Sequence, residues 1–319
     1  MPTDISPAVA GTDLDWPLIS VVLPTRGRPE LVRDSLRSVV AQTYPGEIEC
    51  FVVHDQEPAD QTLAELGQPG RTVTVIENDG APGLAGARNV GLKRVSGEFV
   101  ASCDDDDTWH PTKMEKQVRR FRTDPDVIVL GTGIRLILPG GKTADWPGRS
   151  DRITYRTLLR NRVKELHSST LMMRRDAFAK AGLYDEELPH GYAEDYDFVL
   201  RAARVGRVGV VREPLADIRK DGQSYYRGRA ENTTVALRAF MAKHTDIAGD
   251  RRGHARMLGQ LAFAESSLGH RSVATKLALK SVARWPFSPH PYVALLQITT
   301  RLEPARIARL ARRFGRGMA

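Results

Sequence analysis

Between residues 19 and 133, short apolar runs rich in Val and Ile alternate with stretches whose apolar residues recur at helical spacing. Continuous apolar runs of this length read as strands buried on both faces. They fall at residues 19–24, 48–53, 72–76, 99–103 and 127–133. Helical patterns lie between them. One opens at Pro29, a residue suited to a first turn, and carries Leu31, Val32, Leu36, Val39 and Val40; others cover residues 84–95 and 111–121. Alternating strands and helices need crossover connections. The expected fold is therefore α/β, with a Rossmann-like, mostly parallel sheet covered by helices on both faces. Ligands of such sheets bind beyond the carboxyl ends of the strands. The segments after the first, second and fourth strands are TRGR, HDQEPAD and DDDD, and they should share one edge.

The later sequence has a different character. A short strand is expected at 169–173, helices at 175–181 and 194–205, and a late strand at 208–211. From about residue 230 the pattern is wholly helical, with separate helices near 231–243, 251–268, 273–284, 291–301 and 305–314. The expected organisation is a disordered leader (1–17), an α/β domain (18–228) and a C-terminal all-helical region (229–319) with a basic tail.

Net charge is +8, but residues 270–319 hold ten Lys/Arg against the single acid Glu303. The rest of the chain is nearly neutral, which argues against a nucleic-acid partner. In the tail, Ile307, Leu310 and Phe314 form one helical stripe and Arg306, Arg309, Arg313 and Arg316 another. That division suits an anionic membrane surface. No apolar run approaches the roughly 20 residues of a membrane span. Cys50 and Cys103 both lie in apolar strands and read as free buried thiols of a reducing compartment. The expected location is the cytoplasm, with the tail a candidate contact to the inner face of the plasma membrane.

Asp104, Asp105, Asp106 and Asp107 come directly after a buried strand. Four adjacent carboxylates repel one another, and a divalent cation would compensate them. Mg²⁺ or Mn²⁺ takes oxygen ligands and leaves positions for phosphate oxygens. Asp107 is also placed to cap the next helix.

Residues 97–109 (GEFVASCDDDDTW) resemble the DxD segment of family-two glycosyltransferases. Residues 20–42 resemble that family's opening strand and helix, and residues 52–55 (VVHD) its second strand. Residues 78–91 resemble its G…ARN…G segment, and residues 194–197 (EDYD) its ED motif. Five such pieces in the family's order are far more specific than any one alone. The resemblance implies the GT-A fold and an inverting transfer of sugar from a nucleotide diphosphate donor, UDP favoured, to an acceptor hydroxyl. The acceptor would be a glycan, a lipid-linked sugar or a small molecule. By the same resemblance, Thr25, Arg26, Arg28, Asp55, Gly83, Arg88, Asn89, Asp104 and Asp105 would bind the nucleotide sugar. Asp106 and Asp104 would hold Mn²⁺ or Mg²⁺. Asp195 would be the general base, with Glu194 as runner-up and acceptor contact. His167, His190 and Tyr192 would border the acceptor.

Two positions depart from the family pattern. His54 stands where an acid is usual. Asp221, in IRKDGQS, stands where a metal-site His is usual, and as a hard oxygen donor it is a candidate ligand. A nucleotidyltransferase is a rival reading, but TRGRPE lacks the glycines expected after its first strand. A non-catalytic nucleotide-sugar or glycan binder on a degenerate fold is the other rival, and it would not need Asp104, Asp106 and Asp195 together.

Overall fold

A computed structural model describes residues 15–220 and 230–300. The chain runs β1 (Ile19–Thr25), α1 (Pro29–Val40), β2 (Ile48–His54), β3 (Arg71–Glu77), α2 (Leu84–Leu92), β4 (Phe99–Ser102), β5 (Thr108–Trp109), α3 (Lys113–Thr123) and β6 (Val127–Ile137). Then come β7 (Thr143–Trp146), β8 (Arg152–Ile153), α4 (Tyr155–Arg160), β9 (Met172–Arg174), α5 (Asp176–Ala181), α6 (Glu194–Val205) and β10 (Arg207–Arg219). The last helices are α7 (Ala230–Lys243), α8 (Asp246–Gly249), α9 (Arg251–Ser267), α10 (Arg271–Arg284) and α11 (His290–Thr300).

The strands form one sheet in the order β3-β2-β1-β4-β9-β6-β10-β5, with β7 on β6 and β8 on β10. The β3-β2-β1-β4 part is parallel throughout, as the alternating pattern requires. The long β6–β10 ladder is parallel too, while β9 is inserted antiparallel between β4 and β6. The sheet is therefore mixed. β9 enters antiparallel after a run of short turns and not from a crossover helix. The late strand is also longer than the apolar run at 208–211, because β10 continues past Pro214 through register shifts and picks up β5.

Alternate residues of β1 feed two cores. Ile19, Val21 and Leu23 pack with Leu36 and Val39 of α1 and Val118 and Phe121 of α3. Val22 packs on the other face with Val90 of α2 and Phe198 of α6. Phe240 of α7 and Leu261 of α9 extend that second core. The C-terminal helices are thus continuous with the layer that backs the sheet. Among α9, α10 and α11, Ala262, Ala278 and Ala294 are completely buried, so small side chains let these helices approach closely. Trp16, inside the expected leader, is packed, and its ring meets Tyr44 edge-on at 5.2 Å. Residues 1–14 of that leader, Asp221, and the amphipathic tail lie outside the described residues. No helix among the described residues is long and apolar enough to cross a membrane.

Candidate active site at the carboxyl edge of the sheet

The parallel register brings the ends of β1, β2 and β4 side by side. Thr25 ends β1, and its Oγ1 donates to Asp105 Oδ2 at 2.9 Å. The Arg26 backbone N–H points to the same oxygen at 3.4 Å. Arg28 Nη1 lies 2.9 Å from both Asp105 Oδ1 and Asp106 Oδ2. The loop after β1 and the acidic loop after β4 are therefore laced together. Asp55 comes directly after β2. Its Oδ1 accepts from the Gly83 backbone N–H at 3.0 Å and from Asn78 Nδ2 at 2.8 Å. Arg26 approaches its Oδ2 at 3.8 Å. His54 is buried, and its Nδ1 meets Glu57 Oε1 at 3.0 Å, so a carboxylate stands beside it although it is supplied from further along the loop.

Gly83 sits at φ +103°, a backbone state that glycine adopts freely, and it opens α2. Three residues on, a Cβ at Gly86 would lie 1.8 Å from the Ala81 carbonyl oxygen. Both glycines shape the approach to the N-terminus of α2, an end that favours anions.

Arg88 is the joint of the site. It is fully buried. Nη2 donates to Asp104 Oδ1 at 2.6 Å and to Ser168 Oγ at 2.6 Å, and Nη1 donates to Glu194 Oε1 at 2.5 Å. One guanidinium therefore ties the acidic loop to the ED motif, segments about ninety residues apart in sequence. Asn89 is directed elsewhere. Its amide donates to the Tyr184 carbonyl at 2.9 Å and to Glu186 Oε1 at 2.6 Å, and its oxygen accepts from the Tyr184 N–H at 3.0 Å. The helix turns these adjacent residues about 100° apart, so Asn89 anchors the segment leading to α6 while Arg88 faces the acids.

Glu194 and Asp195 open α6, where acids suit the helix dipole. Ala193 before them is held at φ +60°, as is His190, and Gln56 beside Asp55 is at +56°. Among the described residues these are the non-glycine positions with positive φ, and each is an expected site residue or lies close to one. Strain of this kind costs about 1–3 kcal/mol and persists only where surrounding contacts enforce it. Arg162 Nη2 sits 2.9 Å from both oxygens of Asp195. The sequence offered no signal for that pairing, because Arg162 lies in an irregular stretch between α4 and β9.

The electrostatics separate these acids. Burial raises Asp104, but Arg88 and its hydrogen bonds outweigh it and hold the carboxyl below its ordinary value. Asp106 is pushed up to about 6, by burial and by the neighbouring Asp104 and Asp105, with Arg28 opposing. Burial and Asp104 and Asp106 push Asp107 well up. Burial also raises Glu194, against the pull of Arg88. Asp195 is lowered, since Arg162 above all, with Arg88, overcomes its burial. His167 falls to about 4 through burial and is neutral near pH 7. Its 3.7 Å approach to Asp107 is then a contact and not an ion pair.

Asp107 does not cap α3. Thr112 stands at that cap and makes no side-chain bond there. Asp107 instead turns inward, accepting from Ser169 Oγ at 2.6 Å and from the Arg219 backbone N–H at 3.0 Å. Two fixed donors in the interior outcompete the exposed end of a helix. Asp104, Asp107 and His167 offer ligand atoms that all lie within 4.8 Å of one another. Asp106 stands on the outer side with Arg28. The carboxylate oxygens of Asp104 and Asp107 are hard donors, and Asp107 is an acid that burial and neighbouring carboxylates drive toward protonation, so the group suits a Mg²⁺- or Mn²⁺-sized cation.

The sequence profile of glycosyl transferase family 2 matches residues 20–182. This chain belongs to that family. A Haemophilus influenzae relative named "Uncharacterized glycosyltransferase" is 27% identical over 220 residues, 65% of this chain and 66% of that protein. A Rickettsia typhi glycosyltransferase is 28% identical over 62% of this chain and 63% of its own length, so these alignments span less than two-thirds of the relatives. An Escherichia coli protein, UDP-Glc:alpha-D-GlcNAc-diphosphoundecaprenol beta-1,3-glucosyltransferase WfgD, is 33% identical over 33% of this chain and 41% of its own. In fold, the chain resembles Staphylococcus aureus TarS 1–349 in complex with UDP-GlcNAc (TM-score 0.60, 19% identity, 93% of this chain and 92% of that one). It also resembles the mannosyltransferase PcManGT of Pyrobaculum calidifontis in complex with GDP-Man and Mn²⁺ (TM-score 0.57, 18% identity, 99% and 91%). The fold is GT-A, with the helical region α7–α11 after it.

Proposed function

We propose that this family-two glycosyltransferase is inverting and metal-dependent, and that it moves a sugar from a nucleotide diphosphate sugar to an acceptor hydroxyl in polysaccharide, glycolipid or glycoconjugate synthesis. The observation that carries the proposal is the Arg88 bridge, because it brings the acidic loop and the ED motif into one site. Thr25, Arg26, Arg28, Asp55, Gly83, Asp104 and Asp105 surround the donor's place at the strand ends. Arg88 orients Asp104 and Glu194 from beneath, and Asn89 positions the chain that delivers α6. The names UDP-Glc and UDP-GlcNAc among relatives and neighbours favour a UDP donor, while GDP-Man keeps guanine in the test.

Asp104 and Asp106 would hold the Mn²⁺ or Mg²⁺, with Asp107, His167 and Asp221 as further candidate ligands. When bound, the cation neutralises charge on the departing diphosphate. Asp195 takes the proton of the acceptor hydroxyl. The acceptor oxygen bonds to the anomeric carbon as that carbon's bond to the diphosphate oxygen breaks on the opposite side, which inverts the centre. A base must be ionised and within hydrogen-bond reach, and Arg162 keeps Asp195 ionised. His190 and Tyr192, in the strained turn before α6, border the acceptor. A cytoplasmic location suits the two buried free cysteines. The basic tail is the candidate membrane contact.

The test is nucleotide diphosphate release from a panel of UDP-, GDP- and dTDP-sugars, with and without Mn²⁺ or Mg²⁺. Asp106→Ala and Asp195→Ala run beside the parent. Slow metal-dependent hydrolysis of one donor, lost in Asp106→Ala, is expected. If folded protein with metal binds none of the donors by calorimetry, the transferase proposal fails and a non-catalytic role takes its place.

A further inference from the structure

Beside the acceptor end of the site lies a group of cations that the proposed chemistry does not use. Trp146, at the end of β7, has Lys164 Nζ at 4.1 Å and the Arg149 guanidinium at 4.9 Å from its ring centre. Lys220 comes directly after β10, next in the sheet to β6, and its backbone N–H bonds the Ile137 carbonyl at 2.8 Å. Among the described residues, none of these three cations forms an ion pair. The adjoining Glu165 is buried, and its Oε1 is turned onto the Arg149 backbone N–H at 3.3 Å. Burial lowers the Lys164 ammonium and Glu165 opposes this, while the Arg149 and Lys220 charges lower it further. The Lys220 charge is near enough to His167 to act on it. Arg162, two residues before Lys164, is the cation of this stretch that is satisfied, by Asp195.

Three like charges with Glu165 as the acid beside them carry an excess of positive charge and repel. An anion with several acceptor oxygens relieves that repulsion, and phosphate esters match Lys and Arg donors best. We propose that Arg149, Lys164 and Lys220, set against Trp146, form a subsite for a phosphate or diphosphate ester carried by the acceptor, next to the hydroxyl that Asp195 activates. The inference rests on the transferase proposal for its use, but the anion site itself can be measured apart from it.

Calorimetry on the full chain tests it, with Mg²⁺ and saturating UDP present so that the donor's diphosphate place is filled. The probes are N-acetylglucosamine 1-phosphate, uncharged N-acetylglucosamine, and farnesyl diphosphate in detergent micelles. The phosphate-bearing probes should bind and the neutral sugar should not. Lys164→Ala and Arg149→Ala should each weaken binding about tenfold, the scale of one charge-assisted hydrogen bond. Lys164→Arg, which keeps the charge, should restore most of it. Tighter binding of the lipid diphosphate names a membrane-borne acceptor, and equal binding names the phosphate alone; both support the subsite. Binding of the phosphate probe no tighter than of the neutral sugar, or unchanged in the Lys164→Ala/Arg149→Ala double variant, overturns it. A separate UDP titration reports the donor site. UDP binding without anion binding sinks the subsite and spares the transferase proposal, and anion binding without any nucleotide binding does the reverse.

Discussion

The two sides of the site are built by different forces. On the proposed donor side, Thr25, Asp55 and the acidic loop sit at the ends of neighbouring parallel strands, so the ladder of backbone hydrogen bonds sets their spacing. On the proposed acceptor side, Arg162, His167, Glu194 and Asp195 come from short turns and one helix start, and the chain enters that helix through residues at positive φ. Charge pairs hold that side together: Arg162 with Asp195, and Arg88 with Glu194. A ladder shares its load over many bonds. A buried charge pair concentrates it in one side chain, so the two sides should respond very differently to single substitutions.

The sharpest way to break this contrast is Arg88→Met. Removing one partner of a buried charge group leaves Asp104 and Glu194 unpaired, at about 3–5 kcal/mol of stability. Transfer should be lost as well. Arg88→Lys should rescue little, because an ammonium cannot span both carboxylates and Ser168 as the planar fork does. On the donor side, Thr25→Val removes one hydrogen bond and should cost only about 1 kcal/mol. Urea denaturation of the three variants decides it. An Arg88→Met cost no larger than that of Thr25→Val would mean the site is not held through this arginine.

A second contrast lies in how Arg162 sets Asp195, the proposed base. Burial alone would raise Asp195; Arg162 leads the groups that bring it down instead. A lowered carboxyl stays ionised through neutral pH, so the acid limb of kcat/KM for the parent should lie well below pH 7. Arg162→Ala removes the largest stabiliser of the charged form, and the limb should move up by about 1–3 pH units. A pH–rate profile of the two proteins checks it. No shift would assign the acid limb to another group.

The same division explains how far the sequence could disclose the site. Strand ends were legible because buried strands leave continuous Val- and Ile-rich runs, and the residues just past such a run must lie at the sheet's edge. Thr25, Arg28, Asp55 and Asp104–Asp106 were found that way, with the family motifs naming their chemistry. The Arg88 and ED segments were found only through motif resemblance. Their meeting could not be read, because an arginine buried between two acids looks in sequence like any helical cation. Arg162, Ser168 and Ser169 left no trace, since short turns have no periodicity to detect. Asp107 departs from its expected place for a related reason. An aspartate before a helix looks like a cap until the interior donors that claim it are seen.

A smaller effect sharpens the comparison one layer back, where the C-terminal helices support α6. Asp197 is fully buried; its Oδ1 meets His244 Nε2 at 2.8 Å and Lys243 Nζ at 2.6 Å, and its Oδ2 meets Arg201. Burial raises its pKa, but His244, Lys243 and Arg201 together pull it below the ordinary carboxylate range. A group with a depressed folded pKa stabilises above its unfolded value, about 3.9, and that contribution is lost as pH falls further. Asp197→Asn should therefore cost about 1–3 kcal/mol at pH 7, with the gap to the parent narrowing below about pH 4. Thermal melts across pH test this, and a gap that stays constant through the acid range would remove Asp197 from the linkage between α6 and α7.

The smallest effect is expected where the helices pack without charge. A Cβ added at Gly259 of α9 would lie 2.6 Å from the His290 Cβ and 2.9 Å from Pro291 Cδ at the start of α11. Gly259→Ala must push α11 outward, at about 1–3 kcal/mol, partly offset by the roughly 1 kcal/mol that alanine adds to a helix interior. Gly249 provides the control, since a Cβ there meets nothing within 4 Å and Gly249→Ala should be neutral or slightly stabilising. One turn before Gly259, Arg256 donates to the Tyr196 hydroxyl at 2.9 Å, so α9 also steadies the residue next to Asp195, the proposed base. Opposite shifts in melting temperature for the two alanines, with UDP affinity the same in both, would show that strain in the helical layer spares the strand-built, proposed donor side. A matching loss of UDP affinity in Gly259→Ala would instead make the helices a support of the whole edge.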